Sequence, residues 1–155
     1  MYPYINDNPK PISASENTLP EPDADISRIA QLIESAAQEE EKAAFLYSRL
    51  AQDAKNEDCQ IIYSSIADDN RYHVKLLNQL YNAATGISMP SSEPPEKDEI
   101  PENTVPDEIE NSKFYRDLAF MSEDSLFVKT AQTIMADKQN HALLNLYVQL
   151  AGGCK

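Results

Sequence analysis

Glycine is scarce in this chain, with three residues among 155, and tryptophan is absent. Ala, Leu, Glu, Gln and Lys crowd the segments without proline, and no strand-like alternation stands out, so helix is expected throughout. Positive charge is also sparse. Thirteen Lys and Arg face 26 Asp and Glu, leaving a net charge of −13. Phosphate contacts need clustered Lys and Arg, so nucleic acid is excluded as a partner and an anionic membrane surface is disfavoured. No apolar run approaches the roughly 18 residues of a membrane span. Residues 1–20 have neither a basic n-region nor an apolar h-region, so no secretory signal is expected. Cys59 and Cys154 form no C-x-x-C pair. Neither a disulfide framework nor a rubredoxin-type iron site is therefore expected, and a cytoplasmic location is the default.

The remaining sequence divides into long periodic segments. Residues 1–24 are rich in proline and read as a flexible tail, followed by one domain over 25–151. Apolar positions at three-and-four spacing predict helices at about 26–55, 57–84, 106–121 and 123–150. Asn56 and Ser122 are candidate N-caps, Pro106 a helix opener, and Gly86 and Gly152 helix stops. The stretch 85–105, with Pro90, Pro94, Pro95 and Pro101 among acids, reads as a long crossover. Four helices with two short turns and a central crossover predict an all-α four-helix bundle.

The chain repeats itself at an offset of 68 positions. Glu40 aligns with Glu108, Tyr47 with Tyr115, Leu50 with Leu118, Ile66 with Ile134, Asp69 with Asp137, His73 with His141 and Leu76 with Leu144. Both histidines of the chain occupy equivalent places in two helix pairs, as do acids set among apolar neighbours. A bundle with pseudo-two-fold symmetry would bring them to its axis. A carboxylate buried there costs several kcal/mol unless something compensates it.

In the first helix, Glu40, Ala43, Tyr47 and Ala51 follow a spacing that the third repeats as Glu108, Tyr115 and Ala119, with Asn111 for the first alanine. This pattern resembles the rubrerythrin family of the ferritin-like superfamily, over about 110 residues. The resemblance implies a ferritin-like bundle of two repeated helix pairs, a homodimer, and a di-iron centre served by E-x-x-H motifs. This chain departs at that motif. Asn70 stands three residues before His73 and Lys138 three before His141, while Asp69 and Asp137 precede the histidines by four.

Two functions follow as expectations. In the first, Glu40, His73, Glu108 and His141, joined by Asp69 and Asp137, bind metal at a di-metal or altered site; Glu41 is an alternative to Glu40, and Asn70 and Lys138 occupy substituted ligand positions. Carboxylates and imidazoles suit iron, manganese or zinc. The implied activity is a non-haem iron oxidoreductase or peroxidase acting on peroxide or dioxygen. It would take electrons from an external donor, because no rubredoxin module is present. In the second, Lys138 supplies the positive charge, and the bundle is a metal-free, degenerate scaffold that acts as a protein-interaction module.

Overall fold

Pro22 opens the first helix, where its fixed φ and missing N–H are harmless. The computed structural model describes residues 22–92, 103–152 and 154. Within them the chain forms α1 (Pro22–Asp53), α2 (Glu57–Thr85), α3 (Val105–Ala119) and α4 (Ser125–Leu150), with no strand among the described residues. The all-α architecture expected from composition is present. Residues 1–21 and 93–102 lie outside the described part, and with them most of the expected tail and much of the crossover. Helix α1 begins inside the stretch read as tail, because proline there starts the helix instead of interrupting it.

Local chemistry sets the other ends. Asn56 caps α2 by accepting the Cys59 amide at 2.8 Å, and Gly86 ends it with φ 76°. Helix α3 stops at Ala119, short of residue 121, because the amides of Phe120 and Met121 turn back to Asp117 and Leu118. The cap of α4 is Asp124 rather than Ser122: its carboxylate accepts the Phe127 amide at 2.9 Å, while the Ser122 hydroxyl accepts the Asp124 amide.

Helix α1 packs along α2 and α3 along α4, and the two pairs meet through α2 and α4. One apolar layer joins Ile33 and Ala37 to Leu77, Leu118, Phe127 and Ile134. A second holds Tyr47, Ile66 and Ala67, with Leu144 against them. Between these layers lie Glu40 on α1, Asn70 and His73 on α2, Glu108 on α3, and Lys138 and His141 on α4, all buried.

Beyond the second layer, Ala54, Cys59 and Val148 close one end of the bundle. There Cys59 and Cys154 are joined by a disulfide with Cα atoms 5.8 Å apart, which corrects the expectation of two isolated thiols. The antiparallel run of α2 and α4 brings residues 95 positions apart to one end, a proximity that spacing along the chain does not display. Among the described residues no helix is long and apolar enough to cross a membrane.

Candidate functional site

The polar layer is built around the Lys138 ammonium, which is fully buried on α4. Its Nζ donates to Asn70 Oδ1 at 2.6 Å, forms an ion pair with Glu40 Oε2 at 2.9 Å, and lies 3.7 Å from Glu108 Oε2. Asn70 is held by its own helix, its Nδ2 donating to the Ile66 carbonyl at 2.7 Å. The two positions that differ from E-x-x-H thus pair with each other at the centre.

The tyrosines cross between helix pairs. Tyr115 donates to Glu40 Oε1 at 2.8 Å, and Tyr47 donates to Glu108 Oε1 at 2.6 Å while accepting from Asn145 Nδ2 at 2.7 Å. Burial and the adjacent carboxylates push both phenol pKa values far up, so both hydroxyls remain donors.

Each histidine lies between two acids. His73 Nδ1 meets Glu40 Oε2 at 3.0 Å and its Nε2 meets Asp137 Oδ2 at 2.9 Å. His141 Nε2 meets Asp69 Oδ2 at 3.0 Å, but its Nδ1 is 3.8 Å from Glu108 Oε2, beyond hydrogen-bond reach. Those last two atoms have no hydrogen-bond partner, so the Glu108 half is less satisfied than the Glu40 half. Asp69 and Asp137 sit on the outer side of the imidazoles, with side chains 42% and 37% exposed.

The sequence-predicted residues therefore divide. Glu40, His73, Glu108 and His141 converge with Asn70 and Lys138; Asp69 and Asp137 back the histidines; Glu41 lies off the axis and accepts from the Ser92 hydroxyl. A di-metal centre does not fit this arrangement. The ammonium stands between the two glutamates, Asn70 Oδ1 is bound to it, and among the described residues no three His, Cys, Asp or Glu side chains are grouped to hold a metal ion. Asn145 escaped the sequence reading. Its only signal was an uncommitted polar residue four positions after His141 on the same helix.

Electrostatics follow from the geometry. Burial pushes Glu40 and Glu108 upward, but His73 and Lys138 for Glu40, and His141, Lys138 and Tyr47 for Glu108, hold both below the ordinary carboxylate value of 4.5. Burial depresses His141, but Glu108 and Asp69 more than reverse this and raise it above 6.5. Lowered carboxylates contribute stability that is present above their unfolded pKa and lost as pH falls through the folded one. A raised histidine contributes fully below its unfolded pKa and loses that contribution as pH rises through its folded one. Urea denaturation across pH is thus expected to show greatest stability between 4.5 and 6.5, with decline on both sides; an optimum at or above about pH 8 contradicts this balance.

Comparison with protein-family models, with curated proteins and with solved structures returned no match.

Proposed function

We propose that this chain is a ferritin-like, rubrerythrin-type bundle in which the Lys138 side chain takes the place of a metal centre, leaving a metal-independent scaffold that acts through its surface. The observation carrying this reading is the Lys138 Nζ at 2.9 Å from Glu40 and 3.7 Å from Glu108. The crossed Tyr47–Glu108 and Tyr115–Glu40 bonds, which relate residues at the 68-position offset, support a duplicated ferritin-like design. A peroxide- or dioxygen-linked iron enzyme would require that ammonium to leave the carboxylates it neutralises.

Iron titration of anaerobically purified protein tests the reading. The wild type is expected to bind no stoichiometric iron, manganese or zinc. Lys138→Glu removes the buried cation and restores E-x-x-H, and should raise iron affinity at least tenfold, about 1.4 kcal/mol. Stoichiometric binding by the wild type would overturn the scaffold reading.

The surface in question is the outer face of α4. Gln132, Ala136, Gln139, Leu143, Leu146 and Leu150 are all exposed and recur at heptad-like four-and-three spacing. This stripe carries no charge in a chain of net charge −13, so it is where a second copy approaches with least repulsion. The partner in this reading is another copy of the chain, paired through the same stripe on each. Sedimentation should show a dimer that Leu146→Glu converts to a monomer; a monomeric wild type at tens of micromolar would remove the proposal. The Cys59–Cys154 bond favours an oxidising compartment over the cytoplasm first expected.

A further inference from the structure

A primary amine, a carboxamide and a carboxylate meet in the centre of the bundle, away from water. Lys138 and Asn70 have no exposed surface, and Glu40 is 2% exposed. The Lys138 Nζ is 2.6 Å from Asn70 Oδ1, and the carboxamide carbon lies one C=O bond, about 1.2 Å, behind that oxygen. Glu40 Oε2, at 2.9 Å from the same nitrogen, is placed to take its proton, whereas Glu108 Oε2 is at 3.7 Å. The bond from Asn70 Nδ2 to the Ile66 carbonyl holds the carboxamide on its helix. Fixing amine and carbonyl side by side on packed helices makes a slow bimolecular reaction effectively unimolecular. Excluding water removes competing hydrolysis.

We propose that Lys138 and Asn70 join in an intramolecular isopeptide bond, with Glu40 as the base. Glu40 takes one proton from the ammonium, and the freed lone pair on Nζ attacks Asn70 Cγ while the carbonyl π pair moves to Oδ1. Glu40 then passes its proton to Nδ2 and takes a second from Nζ. The carbonyl re-forms, the Cγ–Nδ2 bond breaks, and Nδ2 leaves as ammonia. One C–N bond forms and one breaks, no atom changes oxidation state, and Glu40 retains a proton.

The ammonium and the Glu40 carboxylate thus become a neutral amide and a neutral acid, while Glu108 loses the ammonium 3.7 Å away and keeps its hydrogen bond from Tyr47. It joins α2 to α4, the seam between the two helix pairs, at the bundle centre. With Cys59–Cys154 at the end, that seam would be closed covalently at two levels. The inference goes beyond the scaffold reading and has a separate readout, since covalent mass is independent of metal affinity.

Intact mass spectrometry of the full chain, reduced and denatured, tests it. The expected mass is lower than the sequence requires by one ammonia, and tandem spectra of a digest should show the Asn70 and Lys138 peptides joined. Asn70→Ala and Lys138→Arg should each restore the full mass for their sequence. Glu40→Gln should abolish the link, and Glu108→Gln should leave it. A wild type at full mass overturns the proposal without recourse to any variant. So does an ammonia loss confined to the Asn70 peptide, which marks a succinimide. A link that persists in Glu40→Gln overturns the assignment of the base.

Discussion

In an Asn70→Ala background, where no amide link can form, Lys138→Met is expected to destabilise the protein by about 3–5 kcal/mol, because it removes the cation between two buried carboxylates and leaves their desolvation uncompensated. Glu40 and Glu108 are 2% and 3% exposed, so water cannot take over the task without opening the bundle. Against a typical domain stability of about 5–15 kcal/mol, the loss is severe. For a chain of this size it corresponds to a fall in Tm of roughly 10 °C. Lys113→Met is the control. Lys113 makes an exposed pair with Glu110, and its loss should change stability by no more than about 0.5 kcal/mol. Equal effects of the two substitutions, read by urea denaturation, would remove the central place given to Lys138.

Reduction of Cys59–Cys154 is expected to have the next largest effect. The bond closes a loop across a separation of 95 residues. On chain entropy alone such a loop contributes about 4–5 kcal/mol, and measured disulfides commonly give about 2–4 kcal/mol. Cys59→Ser, or added reductant, should therefore lower the denaturation midpoint clearly. Without reductant, iodoacetamide should label no thiol in the unfolded wild type. Full labelling of both cysteines, with no effect of reductant on stability, would contradict the pairing.

The helices were legible in the sequence because the buried stripes are periodic. Glu40 and Tyr47, and Glu108 and Tyr115, stand in matching phase with apolar neighbours, and the two histidines repeat at the same offset. The departure from E-x-x-H was visible in Asn70 and Lys138, but not that these residues face each other, because a contact across α2 and α4 depends on packing. Asp69 and Asp137 could be placed near the histidines by their spacing, yet whether they point to the centre or stand behind the rings depends on side-chain direction. The outer stripe of α4 was hidden by the inner one. A helix apolar on two faces shows little periodic contrast, so nothing in the sequence sets its exposed leucines apart from core positions. The cysteines carried no local signal, since their proximity arises only when the two pairs assemble.

The most direct test is whether Lys138 and the two glutamates depend on each other energetically. A double-mutant cycle would measure Lys138→Met with Glu40 and Glu108 intact and again with both changed to Gln. Asn70→Ala in every member keeps any covalent link out of the comparison. If the ammonium compensates the carboxylates, Lys138→Met should cost at least about 2 kcal/mol less once the glutamates are neutral. The same cost in both backgrounds would show that Lys138 is held by packing alone, and would contradict the account of a side chain standing in for a metal.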